Sequence, residues 1–355
     1  MKQRLLYALF ILLGFGLITS CEMDDDEPAK STSISRLYIS YSNWNPNVQG
    51  TPINNMAIVS NADSTNFGDA RTTSFYLTPS SGGSTIYFHP AARTVFHASL
   101  NISAVDTIIH TATIGETGAP ANNRKIMSKL LMKPRGLVFH PHLDRLYTVQ
   151  VNEGSSYVYV FDRPRGINQV VIPAQTIELA DQLNAWDATI VNSKLILSRT
   201  GKDGGLDIFD NLVPRREPLI PNLSPSKSLK IVGTSNIQGI SIDTVNNMMA
   251  VADYPDNNSV AGAGRILIFD NFTSLLEGSE TITPSRIITG ANTKLIRPSD
   301  VDLDFRKDSK YFYVADPGSS LVYRFLKSAD GDVAPESQFS RAGLNPVSLS
   351  LDARN

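Results

Sequence analysis

The chain has 355 residues, of which 41% are hydrophobic and 19% charged, a balance that supplies ample material for a folded core. Its formal net charge is −2 and it carries no basic stripe, which argues against a nucleic-acid partner. Cys21 is the single cysteine, so neither an intramolecular disulfide nor a cysteine-based zinc site can form. The five histidines show no spacing typical of a metal site.

Residues 1–20 predict an export signal. A basic start at Lys2 is followed by an apolar block, Leu5 to Ile18, which is shorter than the roughly 20 residues that a membrane span needs. An uncleaved anchor helix is the alternative. Residues 17–21, Leu-Ile-Thr-Ser-Cys, resemble the lipobox of bacterial lipoproteins. This resemblance implies that Cys21 is lipidated after cleavage and holds the protein on a lipid bilayer.

Residues 21–34 predict a flexible tether. An acidic run directly follows Cys21 and leads into Pro, Ser and Thr, a composition that cannot bury apolar surface. Acidic residues behind a lipidated cysteine resemble the surface-export signal of Bacteroidetes-type lipoproteins. We therefore expect an outer-membrane lipoprotein exposed at the cell surface, with a periplasm-facing protein as the alternative.

Residues 35–355 contain an internal repeat of short apolar strands separated by turn residues. The repeat recurs at intervals of roughly 50 residues, within the range of propeller blades. Each copy predicts up to four strands, which is the content of one β-propeller blade. The first strand of each copy begins at Thr85, Gly136, Asp187, Gly239, Asp300 and Pro346.

The two ends of this domain predict how the propeller closes. The last repeat stops after one strand, residues 347–352, and the first folded segment, residues 35–42, resembles a second strand without a first. Joining them in one blade would cover both terminal edges. The sequence thus predicts an all-β fold, a six-bladed β-propeller with closure between the N- and C-terminal strands. Seven blades is the runner-up, because residues 44–84 are hard to assign; short helices are expected near 274–277 and 125–131.

Two blades resemble a known repeat family. The strand ends Tyr-Val-Ala-Asp-Pro-Gly and Ala-Val-Ala-Asp-Tyr-Pro, in residues 298–325 and 239–270, are similar to NHL and YVTN-type propeller repeats. The resemblance extends as an architecture over residues 85–355. His89 and His140 depart from the pattern, since later repeats have Asp at that position. The resemblance implies a fold and not a reaction.

His89, His140 and their repeat equivalents raise the question of a metal site. The equivalent residues are Asp243, Asp304 and Asp352. Each lies just before a turn, where a side chain of this type commonly accepts a backbone N–H. We therefore expect turn capping rather than metal binding. Asp253 and Asp316, at the ends of second strands, are expected to accept backbone N–H groups in the same way.

The candidate binding residues precede or begin the first strands, where propellers present side chains at the channel mouth. They combine a guanidinium, an aromatic ring, two carboxylates and an amide, in Arg135, Trp186, Asp187, Asp300 and Gln238. Such a set suits a polar ligand such as a glycan or peptide, or a protein partner. Ordinary loop chemistry is the alternative interpretation. The favoured function is an anchored binding module of unknown ligand.

Asp187 and Asp300 are also weak candidates for metal binding. In the gluconolactonase and regucalcin-like six-bladed enzymes, which this chain resembles in blade number, a divalent cation is held by one Glu, two Asn-type ligands and an Asp. Here no Glu precedes a first strand and the Asn pair is missing. We therefore expect no catalytic residue and no cofactor, with a metal-dependent lactonase or hydrolase as one alternative. A scaffold in an outer-membrane assembly is the other.

Overall fold

A computed structural model describes residues 33–45, 53–100, 107–181, 183–256, 260–278 and 280–355. The predicted signal peptide, Cys21 and nearly all of the predicted tether lie outside the described residues. Ile34–Arg354 form one compact unit. No helix within the described ranges is both long and apolar enough to cross a membrane.

The strands of this unit form six sheets, and the first three strands of the chain belong to the blade that closes the ring. They are β1 (Ile34–Tyr41), β2 (Met56–Ser60) and β3 (Thr73–Tyr76). Blade 1 comprises β4 (Gly83–His89), β5 (Thr94–Ser99), β6 (Ile108–Ile114) and β7 (Pro120–Met127). Blade 2 comprises β8 (Gly136–His140), β9 (Arg145–Asn152), β10 (Ser155–Asp162) and, after the short β11 (Gln169–Val170), β12 (Gln175–Leu179).

The second half of the ring repeats this order of strands. Blade 3 comprises β13 (Ala185–Val191), β14 (Lys194–Arg199), β15 (Gly205–Phe209) and, after β16 (Leu219–Leu223), β17 (Lys227–Ile231). Blade 4 comprises β18 (Ile240–Asp243), β19 (Met248–Asp253), β20 (Arg265–Asp270) and, after β21 (Thr281–Ile282), β22 (Arg286–Ile288). Blade 5 comprises β23 (Asp300–Leu303), β24 (Tyr311–Asp316), β25 (Leu321–Leu326) and β26 (Ser337–Phe339). Blade 6 comprises β27 (Pro346–Arg354) and β1–β3.

The N- and C-terminal strands pair as predicted. β27 is the innermost strand of blade 6 and runs antiparallel to β1, with a register from Ile34 opposite Arg354 to Tyr41 opposite Pro346. The predicted six-bladed fold and its closure are therefore confirmed, and the seven-bladed alternative is wrong. Residues 44–84 were hard to assign because β2 and β3 are separated by a turn-rich connector with few apolar residues.

The core of the propeller lies between the blades. Six clusters of buried hydrophobic residues are present in the described part of the chain, and each is shared by two adjacent blades. The second and third strands of a blade carry apolar residues on both faces because both faces meet a neighbouring sheet. β5 and β19, for example, are buried at every residue. Association of the blades is therefore driven by burial of apolar surface.

The connector between the third and fourth strands of each blade contacts the outer edge of the preceding blade. β11, β16 and β21 add parallel outer strands to blades 1, 2 and 3 in this way. In addition, one cation of every blade donates to a backbone carbonyl of the next blade's connector, and we call these six residues the cation ring. Its donor–acceptor pairs are Arg36–Glu116, Arg124–Gly166, Arg145–Arg215, Lys227–Leu276, Arg286–Lys327 and Arg324–Ala62.

Helix is rare, as expected. The one α-helix in the described residues, α1 (Phe272–Glu277), lies where the sequence predicted it. Two single-turn 3-10 helices, Pro164–Gly166 and Ala291–Thr293, occur in connectors. The helix expected at residues 125–131 is wrong, because β7 continues to Met127, where its pairing with β6 overrides the local helix propensity.

Candidate functional site

The six innermost strands surround a central cavity of about 490 Å³. We call the end at which these strands begin the rim end, and the end at which they turn into the second strands the turn end. The cavity opens to solvent at the turn end, because five of its lining residues are exposed there: Pro141, Asn192, Ser193, Thr244 and Phe305. Arg135, Trp186 and Gln238, at the rim end, do not line it.

Polar side chains inside the cavity accept the free backbone N–H groups of the innermost strands. Such N–H groups have no further strand to pair with, so they need another acceptor. In six of these bonds, of 2.7–3.1 Å, the acceptor comes from the preceding blade. The pairs are Ser348–Ile86, Ser350–Phe88, Asp187–Ile240, Ser241–Leu303, Asp300–Leu349 and Asp302–Leu351.

Two of the predicted site residues, Asp187 and Asp300, belong to this set. Asp187 also accepts the Ala188 N–H at 2.8 Å, and Asp300 accepts the Ser348 hydroxyl at 2.6 Å. Gly136 and Gly239 allow this arrangement, because a Cβ on Gly239 would lie 2.3 Å from Asp300 Oδ1. The two carboxylates therefore join blades together, a structural role that the sequence analysis did not assign to them.

Asp302 is the third carboxylate of the cavity, and it was not among the residues predicted for the site. Its two oxygens accept bonds from the Ser241 hydroxyl at 2.8 Å and from the Leu351 N–H at 2.7 Å. The signal that could have found it is its position two residues after Asp300, on the same face of β23.

The pKa values of the three carboxylates are raised because the walls of the cavity enclose them. Burial, together with a smaller contribution from the charge of the neighbouring Asp300, raises the pKa of Asp302 to about 7. Burial likewise raises the pKa of Asp187 and of Asp300, and for Asp187 the charge of Asp300 adds to the effect. The N–H and hydroxyl donors act in the opposite direction, since they stabilise the ionised form.

At the rim end, two predicted site residues are in direct contact. The Arg135 guanidinium lies over the Trp186 ring, 4.3 Å from its centroid, and Arg135 Nη1 donates to Asn184 Oδ1 at 3.2 Å. Arg135 and Trp186 are half-buried and Asn184 is exposed. A guanidinium held on an indole face by a second bond has a fixed orientation, which favours recognition of a planar acceptor group.

Gln238, the remaining candidate at the rim end, makes its side-chain hydrogen bond with a different residue. It is buried, and its amide donates to the Tyr254 hydroxyl at 3.1 Å. Tyr254 is part of a second cation–aromatic pair, because the Arg297 guanidinium lies 5.3 Å from the centroid of its ring. The sequence analysis missed Tyr254 and Arg297, which lie on connectors of different blades and meet only in the fold.

Hydrogen bonds between blades run across the rim end. Ser84 donates to the Pro134 carbonyl, Ser299 donates to the Val347 carbonyl at 2.8 Å, and Gly239 donates to the Ser299 carbonyl at 3.1 Å.

The structure places the five predicted site residues at three locations. Arg135 and Trp186 form a rim pair, Asp187 and Asp300 line the cavity, and Gln238 supports Tyr254.

Four of the five predicted turn caps are present, at His89, His140, Asp243 and Asp304, whereas Asp352 lies within β27 and pairs with the Arg354 guanidinium. His89 Nδ1 accepts the Ala92 N–H at 3.3 Å, and His140 Nδ1 accepts the Leu143 N–H at 3.2 Å. Asp243 accepts two N–H groups of its own turn, while Asp253 and Asp316 accept N–H groups from the connector that enters their blade. Across the described ranges, no three His, Cys, Asp or Glu side chains are grouped as a metal ion would require.

The six sheets around a central cavity define this chain as a six-bladed β-propeller. Its sequence matches no protein family and no curated protein. It is similar to a chain in the crystal structure of a nidogen/laminin complex, with a TM-score of 0.56, 11% identity, and 90% of this chain and 98% of that chain covered. A protein of unknown function from Bacteroides caccae gives a TM-score of 0.53 at 10% identity, covering 91% and 100%.

An enzyme is also among the similar structures. The PQQ-bound aldose sugar dehydrogenase from Streptomyces coelicolor gives a TM-score of 0.50 at 11% identity, covering 76% of this chain and 84% of that chain. At such low identity, these similarities establish the fold alone.

Proposed function

We propose that this chain is a binding module, held at the outer membrane by a lipidated Cys21 and exposed at the cell surface, whose ligand contacts the rim pair. The observation that carries the binding role is the 4.3 Å contact of the Arg135 guanidinium with the Trp186 ring. The anchor rests on the sequence pattern of residues 1–34.

The rim pair offers two kinds of contact to a ligand. Arg135 uses one nitrogen to bond Asn184, so other N–H groups of its guanidinium are available for a carboxylate or another planar acceptor. Trp186 contributes apolar surface next to this charge. Arg and Trp are the residue types that dominate binding energy at protein interfaces, and both also suit sugar or peptide ligands.

The connector that leads to Arg135 extends this surface. Leu130 and Met132 are 39% and 44% exposed, and their backbone is held by Gln150, which donates to the Leu130 carbonyl at 2.7 Å and accepts the Met132 N–H at 3.0 Å. Lys129 and Lys133 on the same connector are exposed as well. A connector fixed by a buried amide and rich in apolar and cationic side chains favours a ligand with acidic groups beside an apolar surface.

The hydrogen bonds of the cavity favour binding over metal-dependent hydrolysis. Asp187 and Asp300 are the carboxylates that such an enzyme would use, and both accept N–H groups of neighbouring blades. The similar structures include both a protein complex and a dehydrogenase, so likeness of fold does not separate the two functions. Elemental analysis of the purified protein tests the enzyme alternative, which a stoichiometric divalent metal would support.

Array screening tests the binding role. We expect the purified protein to bind a member of a glycan or peptide array, and we expect Trp186→Ala and Arg135→Ala each to weaken that binding roughly tenfold or more. Arg297→Ala is the matched control, because it removes the other rim cation from an aromatic ring. Equal affinity of all three variants and the wild type would discard the rim pair as the binding surface.

A separate experiment tests the anchor. Cys21→Ser should abolish incorporation of labelled fatty acid and release the protein from membranes. Protease treatment of intact cells should degrade the wild-type protein, and complete protection would contradict surface exposure. Co-purification of stoichiometric membrane partners would support the scaffold alternative instead.

A further inference from the structure

His89 and His140 occupy the same repeat position in blades 1 and 2, at the turn end of the cavity. Both residues line the cavity and are half-buried. Each Nδ1 accepts a backbone N–H of its own turn, from Ala92 and Leu143 respectively. An imidazole nitrogen that accepts a hydrogen bond carries no proton, so in the neutral ring the proton lies on Nε2.

Nε2–H is therefore a hydrogen-bond donor in both histidines. Neither has a hydrogen-bond partner among the described residues, whereas each Nδ1 does. Burial lowers the pKa of both histidines, and for His89 the positive charge of Arg165 and of a protonated His140 adds to this effect. These effects favour the uncharged form of both rings. Because this tautomer has no free lone pair on Nε2, it disfavours metal coordination there.

The opposite wall of the same cavity provides acceptors. Each oxygen of Asp302 accepts one hydrogen bond and retains a further lone pair. Aromatic side chains lie beside the histidines. The buried Phe139 ring supports His89, with the two ring centroids 5.4 Å apart, and the half-buried Tyr87 lines the cavity. The volume of about 490 Å³ lies within the range of small-ligand sites.

Donors and acceptors in one cavity restrict the chemistry of a ligand. A simple anion would accept from the histidines but would be repelled by those of Asp187, Asp300 and Asp302 that are ionised. A simple cation would be attracted to the carboxylates but would leave both Nε2–H groups unpaired. A hydroxyl group both donates and accepts, so a compound with several hydroxyl groups satisfies both sets.

We propose that the turn end of the channel is a second binding site, which takes a small neutral polyhydroxy compound of mono- or disaccharide size. His89 and His140 donate to its oxygens, Asp302 accepts from its hydroxyls, and the Tyr87 ring contacts its apolar face. This site is separate from the rim pair and does not depend on the function proposed for it.

Asparagine substitutions test the site while retaining the fold. Asp243 and Asp304 cap the same turn in blades 4 and 5, so His89→Asn and His140→Asn should keep the cap through Oδ1 and lose the Nε2 donor. The probes are glucose, galactose, N-acetylglucosamine, maltose and cellobiose, with inorganic phosphate and acetate as anionic probes. Binding to the purified full chain is measured by ligand-observed NMR, and thermal unfolding confirms that each variant is folded.

We expect at least one saccharide to bind, and each asparagine variant to lose roughly fivefold to tenfold in affinity, as for one neutral hydrogen bond. His142→Asn, an exposed residue that does not line the cavity, should leave affinity unchanged. Nitrogen NMR of the wild type should show the Nε2–H tautomer for both rings. The proposal is overturned if no saccharide binds at millimolar concentration, if only the anions bind, or if binding is lost in Trp186→Ala but retained in both asparagine variants.

Discussion

Arg324 Nη1 donates to the backbone carbonyl of Ala62 at 2.6 Å, although the two residues are 262 positions apart in the chain. The same nitrogen donates to the Ser64 carbonyl at 2.6 Å, and Nε donates to Glu336 at 2.6 Å. The guanidinium is almost fully buried and also lies over the Tyr311 ring. This one side chain thereby joins blade 5 to the blade that closes the ring.

Replacing Arg324 should destabilise the propeller strongly. Arg324→Met keeps most of the side-chain volume but leaves two connector carbonyls without their donor, so we expect a loss of about 2–4 kcal/mol in the free energy of unfolding. Arg124→Met is the control, because Arg124 makes a single bond of 3.5 Å to the Gly166 carbonyl and is exposed. Urea denaturation measures the free energy of unfolding of both variants. Similar losses in the two would contradict the role assigned to the buried position of Arg324.

Removal of the last strand should convert the protein into an aggregating species. Without residues 346–355, β1 loses its partner strand and presents a free edge of eight residues. A synthetic peptide with the sequence of those residues should restore a soluble monomer by occupying the vacant edge. Size-exclusion chromatography follows both outcomes; a truncated chain that stays monomeric alone would show that β27 is dispensable for closure.

Asp302 should make the protein less stable as the pH rises. Its pKa is raised to about 7 in the folded state, above its ordinary value near 4, so the folded state holds the proton more tightly. Its contribution to stability is therefore complete below about pH 4 and is lost as the pH rises through 7. Asp302→Asn should gain up to about 4 kcal/mol relative to the wild type between pH 4 and pH 8.

Denaturant midpoints at the two pH values test this expectation. Asp210→Asn, at an exposed residue paired with Lys194, should show no comparable change relative to the wild type. A constant difference between Asp302→Asn and the wild type across this range would contradict the prediction.

His97 should have the opposite pH dependence. It is fully buried, and its ring nitrogens contact the Ser40 hydroxyl at 2.9 Å and the Thr78 hydroxyl at 3.0 Å. Burial lowers its pKa to about 3, below the value near 6.5 of an exposed histidine. The unfolded chain therefore binds the proton more tightly, and stability is lost as the pH falls from about 6.5 toward 3.

His97→Gln removes this titration. At pH 7.5 the variant should be less stable than the wild type by about 1–3 kcal/mol, because it does not satisfy both hydroxyls. That deficit should shrink by about 2 kcal/mol at pH 5, where the wild type is destabilised by protonation of its unfolded chain. Chemical denaturation of both proteins at the two pH values decides the matter, and a deficit that is independent of pH would refute it.

The blades were predictable because each innermost strand carries the same local pattern. β8 and β23 begin at the predicted residues, Gly136 and Asp300, and the capping roles of His89 and His140 followed from turn chemistry. These are properties of short stretches of chain, which a repeat makes visible several times. The predicted pairing of β1 with β27 likewise needed only the two incomplete ends.

The candidate site was less predictable because it depends on where distant connectors meet. Asp187 and Gln238 lie one position apart in the repeat, yet Asp187 bonds Ile240 inside the cavity and Gln238 bonds Tyr254 at the rim. The added strands β11 and β16 pair with the blade before their own, and no local sequence pattern predicts this pairing. The opening of the cavity at the turn end follows from packing of all six blades.

The direction of the cation ring has a consequence for how the chain acquires its fold. Each cation bonds a connector of the following blade, and β1, the first of the described strands, lies between β2 and the last strand, β27. The ring therefore cannot close until β27 has been synthesised and has reached β1. Contacts between residues more than 250 positions apart also slow this step. A late closure of this kind would suit the export proposed above, in which the chain crosses a membrane unfolded and assembles its propeller on the far side.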